Sequence, residues 1–200
     1  MLTFKVATEN QDIDKTHYVK KGICLFLLCI PTLALAQLEL YGKFTEQGSI
    51  EPIVNYSGNK IINEKLSVTF FGLIRKTWSQ ALIGLSYSPG STVSFSTSIG
   101  IEHGKRLPRY AASIWMKKKK TSLLLLGELG SGKDNYLYKV NLFYQCTDQF
   151  SFGGTAWRYH GLGPNFRFLI SKLETTIWAM PAYDLEVKEA RVMLGISLKM

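Results

Sequence analysis

The sequence predicts an all-β chain: a closed, antiparallel transmembrane β-barrel of about twelve strands behind a helical signal peptide. Three observations predict it. An apolar stretch near the N-terminus ends in a small-residue cleavage pattern. Beyond it, segments of ~10 residues alternate apolar with polar at period two, and aromatic residues fall near both ends of those segments.

Residues 1–18 are polar and of mixed charge (Lys5, Glu9, Asp12, Asp14, Lys15) and read as an over-called gene start, with translation beginning at Met1 or at Val19. Residues 19–36 carry Lys20 and Lys21, an apolar run, and Ala34-Leu35-Ala36 before Gln37, the pattern of a cleaved secretory leader. A membrane anchor fits less well, because 22–36 is broken by Pro31 and falls short of the ~20 apolar residues a spanning helix needs. Neither Cys24 nor Cys29 sits in a lipobox-like setting, so no lipid anchor is expected.

Residues 37–200 then form one domain. Removing the leader's four lysines and three acids from 24 basic and 15 acidic residues leaves 20 and 12, a net charge of +8. No nucleic acid partner is expected, since the chain is exported and its basic residues are scattered through strands rather than gathered on a helix. Attraction to anionic head groups, or an interior that attracts anions, fits better. Only Cys146 remains, so no intramolecular disulfide is expected.

The clearest strand is 91–102, where Val93, Phe95, Thr97, Ile99 and Ile101 share one face and Ser94, Ser96, Ser98 and Gly100 the other. The last segment sets Ala190, Val192, Leu194, Ile196 and Leu198 against Arg191, Met193, Gly195, Ser197 and Lys199. Around residue 140, Tyr136, Tyr138, Val140, Leu142 and Tyr144 oppose Lys139 and Asn141. Turn signals divide the chain into strands at 38–46, 49–57, 64–76, 79–88, 91–103, 107–117, 121–130, 135–146, 148–159, 163–172, 174–184 and 188–199. Ten strands is the alternative count, since the first turn is weak and Pro52 interrupts the second strand.

With odd strands running outward, Tyr56, Tyr87, Trp115 and Tyr144 fall at the periplasmic rim, and Trp78, Tyr110, Tyr136, Trp157, Tyr159 and Tyr183 at the other. Two such bands are expected at the head-group levels of a bilayer, where an amphipathic ring keeps one edge dry and one wet. The longer connections, Glu102 to Arg109, Gly130 to Asn135, Tyr159 to Asn165 and Asp184 to Glu189, then lie outside. None is long enough to form a plug.

Over residues 19–200 the chain resembles a small bacterial outer-membrane β-barrel protein of porin-like architecture. It departs from the usual pattern at its last residue, which is Met200 where such proteins often carry an aromatic. The resemblance implies an outer-membrane location, a lipid bilayer as environment, insertion from the periplasm by the barrel-assembly machinery, and either passive diffusion or an adhesive or structural role.

No catalytic residues, cofactor or metal are expected. Gly127 to Asp134 nearly matches a phosphate-cradling loop, but Asp134 stands where a hydroxyl is needed and a strand follows where a helix is needed. His103 and His160 lie in outer connections without ligand spacing and read as exposed loop residues. Asn55-Tyr56-Ser57 matches a glycosylation sequon by chance.

What recurs is charge on the face opposite the apolar one: Arg75, Arg109, Lys139, Arg167 and Arg191, with Glu39, Glu51, Glu128 and Glu189. A charge on the lipid face near mid-bilayer costs ~2–4 kcal/mol, so these nine are expected to line the lumen. They would either cross-link as salt-bridged filling or line a narrow pore for small anionic solutes. A narrow passive channel is the expected function, with a non-conducting structural or surface-binding barrel as the alternative and a soluble lipocalin-like carrier, apolar inside, as a distant third. Lys117 to Lys120 reads as a solvated turn attracted to anionic head groups.

Overall fold

A computed structural model describes residues 35–200. The expectations for an over-called start and a leader therefore fall outside the described residues, save that Leu35 and Ala36 open the first strand. The strands are β1 (Leu35–Thr45), β2 (Ile50–Ile61), β3 (Leu66–Arg75), β4 (Trp78–Tyr87), β5 (Val93–Glu102) and β6 (Arg109–Lys118), then β7 (Thr121–Leu129), β8 (Tyr136–Gln145), β9 (Phe150–Trp157), β10 (Gly161–Ile170), β11 (Thr175–Asp184) and β12 (Glu189–Lys199). Each pairs antiparallel with its neighbour in sequence, and β1 with β12 closes the barrel. The even count brings both ends of the barrel together, where Met200 N donates to Ala36 O at 2.8 Å.

The count of twelve holds, and most strand ends fall within a few residues of the expected cuts. Pro52 is tolerated because its missing N–H lies beyond the β2–β3 ladder, which begins at Ile53 opposite Arg75. The expected outer connection Tyr159 to Asn165 is shorter than the turn signals suggest. Gly161, at φ +104°, and Tyr159, at φ 68°, make the tight turn that lets β10 begin opposite Trp157.

The period-two patterning becomes two surfaces. Outward go Leu40, Val54, Ile74, Ile83, Phe95, Ile99, Leu142, Phe152, Phe168, Ile177, Leu194 and Ile196, each more than a third exposed. A closed wall with that many bare apolar side chains is matched to hydrocarbon, because a barrel satisfies its backbone within its own wall. It also overturns the lipocalin-like alternative, which needs its polar face outside.

The inward face is not uniformly polar. Tyr41, Ile53, Leu73, Trp157, Trp178, Met180, Ala182 and Met193 form one buried apolar cluster inside the lumen, with Phe71, Trp78 and Leu137 packed against it.

Candidate functional site in the barrel lumen

The register carries all nine expected lumen residues to the inner face, and it sorts them by partner. Arg109 opens β6 between the ends of β5 and β7, because Gly100 pairs with Arg109 and Ala111 with Glu128. Its Nη1 lies 2.6 Å from Glu102 and its Nε 2.8 Å from Glu128, and all three side chains are at most 3% exposed. Asn135 bridges the group, accepting from Arg109 at 2.9 Å and donating to Glu102. Gln80 donates to Glu128 at 3.4 Å, and the guanidinium sits 5.3 Å from the Trp78 ring. One buried cation thus ties β4, β5, β6, β7 and the 130–135 connection together.

A second group lies at the same end of the barrel. Arg191 binds Asp184 at 2.6 Å and Glu189 at 3.2 Å, and donates to Tyr159 O. Arg158, unremarked in the sequence, binds Glu186 and donates to the carbonyls of Asp134 and Tyr136, which closes connections 130–135, 158–160 and 185–188 over the rim. A third group pairs Glu51 with Lys43 at 2.6 Å and with Arg75 at 3.5 Å. Glu39 accepts from Asn55 and Ser197.

Lys139 and Arg167 differ. Among the described residues neither has a carboxylate within ion-pair distance. Lys139 Nζ stands 3.6 Å from the centroid of Trp157 and the Arg167 guanidinium 3.9 Å from that of Phe143, so each rests its charge on an aromatic face.

The filling is uneven along the axis. In the half away from the chain ends, the apolar cluster and the Arg109 network meet at Trp78 and pack across the barrel; Arg109, Met180 and Met193 are at most 2% exposed. Toward the half that holds the ends open cavities remain, the larger reaching up to Ala111 and Glu128 beside the Arg109 network. One, of about 470 Å³, is lined by Ser57, Asn59, Thr69, Ser96, Ser98 and Ser113 among others; the second, of about 290 Å³, is lined by Trp115, Lys117, Ser122, Gln145 and Arg167 among others.

Of the expected aromatic bands, Tyr87, Tyr110, Tyr136, Tyr144, Tyr159 and Tyr183 are well exposed, and Tyr56 stacks on outward Phe70 at 5.5 Å. The tryptophans need correction. Trp157 faces inward opposite Lys139, Trp78 opposite Arg75, and Trp115 opposite Ser94 at the inner mouth. Level along the strand placed them at the rims, but strand parity turns them into the lumen. His160 is a second correction: it is buried, stacked 3.8 Å from Trp157, while His103 is exposed as expected. Burial pushes the His160 imidazole down to about 3, and nearby Lys139, Lys43 and Arg75 push the same way. Among the described residues no three metal-ligating side chains cluster.

A nearest-neighbour, twelve-strand antiparallel barrel, apolar outside and charged within, has the fold of the bacterial outer-membrane porins. Among solved structures the chain is similar to the KdgM porin, with a TM-score of 0.61 and 10% identity over 82% of this chain and 99% of that one. It is similar to the NanC porin (TM-score 0.54, 10% identity, 82% and 100%) and to the Acinetobacter baumannii outer membrane protein Omp33 (0.52, 9%, 83% and 98%). The KdgM porin is also known in complex with disordered oligogalacturonate. At such identity the likeness is one of fold. No family model and no curated protein matches the chain.

Proposed function

We propose that the protein is a bacterial outer-membrane barrel of porin type whose lumen admits small anionic solutes, with passage limited by the packed layer away from the chain ends. Charge number does not carry this reading. With Lys43, Glu102 and Asp184 added to the nine expected residues, six cations stand against six anions in that set. Placement carries it. Five of the six acids are ion-paired in the packed half, whereas among the described residues Lys139 and Arg167 are free of acid partners. An unpaired cation in a low-dielectric wall lowers the barrier for an anion, and Lys117 and Lys120 at the mouth add to that field. The KdgM porin, of the same fold, is known in complex with oligogalacturonate, an acidic sugar.

The outward tyrosines then sit at head-group level, and export by the cleaved leader and insertion by the assembly machinery follow from that location. A second reading, a non-conducting structural or surface-binding barrel, is favoured by the packed layer itself. Planar-bilayer recording decides between them. The channel reading expects small, anion-preferring conductance, with a reversal potential shifted toward cations in Lys139→Glu/Arg167→Glu and little changed by Arg75→Gln, whose charge is spent on Glu51. A barrel that inserts but never conducts overturns the channel.

A further inference from the structure

Eleven of the twelve strand interfaces carry an unbroken run of paired residues, and one does not. Between β10 and β11 the pairing stops after Leu162 opposite Tyr183 and resumes at Phe166 opposite Ala179. Continuing the register through the gap sets Pro164 opposite Pro181. Opposed residues of an antiparallel pair alternate between exchanging two hydrogen bonds and none. Two facing prolines delete both bonds of one rung, and loss of that rung unpairs its residues and those on either side, which is the gap observed. On their other edges both prolines keep their places, Pro164 opposite Gly154 and Pro181 opposite Val192, so the missing N–H groups face each other across this seam alone. The bonded rungs that flank it are four residues apart, about 13 Å along the wall at ~3.3 Å per residue, and between them the two backbones stay in contact without those bonds, since a Cβ on Gly163 would meet Pro181 O at 2.0 Å.

Such a gap is expensive in a bilayer, where no water satisfies a bare carbonyl. What lies behind it is the apolar cluster of the lumen: Met180 and Ala182 flank Pro181 on the inner side, with Met193 and Trp178 beside them. That cluster also holds buried polar atoms with no hydrogen-bond partner, namely Tyr41 Oη, Trp157 Nε1 and Trp178 Nε1. Tyr41 lies within 6 Å of both indole rings, and Lys139 stands over Trp157. Hydrogen-bond donors and a cation therefore sit at one side of an apolar bed whose flexible methionines can be displaced.

We propose that the β10–β11 seam is a lateral portal through which an aliphatic acyl chain passes from the surrounding membrane into the apolar part of the lumen, its oxygen-bearing head held by Tyr41, Trp157, Trp178 and Lys139. The proposal rests on the bilayer placement given above and not on ion conduction.

Trp78, Trp157 and Trp178 lie in or against the lumen cluster, so with Trp115 of the open mouth replaced (Trp115→Phe) a quencher confined to the membrane reaches the remaining three well only by entering. The folded protein is placed in vesicles and exposed in separate arms to dibrominated stearic acid and to phosphatidylcholine with brominated acyl chains. Tryptophan quenching is expected, by the free acid alone if a single-chain amphiphile enters and by both if a chain of an intact lipid does. Pro164→Val/Pro181→Val restores two N–H donors, and two net hydrogen bonds lower the open population by roughly 30-fold, which is the expected slowing of quenching. Oxidised and reduced Phe166→Cys/Ala179→Cys, in a Cys146→Ser background, repeats the comparison within one folded protein, with quenching slow until reductant is added. Absence of quenching by either probe, or equal rates in the closed and open forms, overturns the portal. Failure of the chain to insert is seen separately by heat-modifiable migration and would overturn the bilayer placement instead.

Discussion

Arg109→Met removes the cation that, among the described residues, alone neutralises Glu102 and Glu128. Taking one partner from a buried ion pair costs ~3–5 kcal/mol, most of it the penalty of the charge left behind. Here two carboxylates are stranded, with side-chain exposures of 1% and 3%, and Asn135 loses its acceptor role. The expected loss is at least about 4 kcal/mol, a large part of the ~5–15 kcal/mol that holds ordinary domains together. Met fills much of the volume, so a packing void contributes little. Urea unfolding of the refolded barrel, followed by tryptophan emission, measures the loss, and Trp78 at 5.3 Å from the guanidinium reports locally. Neutralising the partners in Arg109→Met/Glu102→Gln/Glu128→Gln should recover most of it, since an uncharged set leaves no bare charge. A single-variant cost below about 1 kcal/mol, or a triple variant no better than the single, would refute the view that Arg109 holds the layer by charge.

Three further outcomes follow from the same geometry. The His160 imidazole is held at about 3, whereas an unfolded chain protonates it near 6.5; the unfolded state therefore binds the extra proton, stability should fall as pH drops from about 6.5 toward 3, and His160→Phe should flatten that stretch of the stability profile. Gly100 lets β5 approach β4, since a Cβ there would meet Ala81 O at 1.9 Å, so Gly100→Ala should cost ~1–3 kcal/mol in unfolding experiments while Gly127→Ala, with nothing within 4 Å, stays near neutral. Intact mass of the membrane form should begin at Gln37: cleavage there forfeits the outermost pairs of β1, Leu35 with Asn59 and Ala36 with Gly58, and the two backbone bonds between Ala36 and Met200, while the β1–β12 ladder from Gln37 opposite Lys199 stays, and retention of Met1 or Val19 would contradict it.

Strand number, order and the inward turn of Glu39, Glu128 and Arg191 were legible because period two is written locally in each segment. The ion pairs were not, because they depend on register. Glu102 and Asp184 end strands where turn signals blur parity, and only the pairing of Gly100 with Arg109 brings Glu102 to Arg109. The inner apolar cluster was hidden for a different reason. Met193 and Trp178 occupy inward positions flanked by apolar outward ones, so locally they read as breaks in the alternation rather than as a second core. Parity around Trp157, two residues from inward Thr155 in β9, carried the signal that this tryptophan leaves the rim. Both prolines of the seam were visible, but that they face each other was not, because residues 164 and 181 meet only when register is known.

The pairing of Gln37 with Lys199 has a consequence for how the chain becomes a barrel. Eleven interfaces join segments adjacent in sequence, as Thr121 joins Tyr144 across 23 residues, while Gln37 meets Lys199 across 162. Loop-closure entropy grows as (3/2)RT ln n, so the last interface costs roughly 2 kcal/mol more to bring together than a hairpin. The molecule can therefore accumulate as an open ribbon from any hairpin, and sealing β1 to β12 is the slow, committing event of its assembly. Since Gln37 already pairs with Lys199, a short linker would turn that event into one more hairpin, and a new break at the Lys119-Lys120 turn would hand the slow step to β6 and β7.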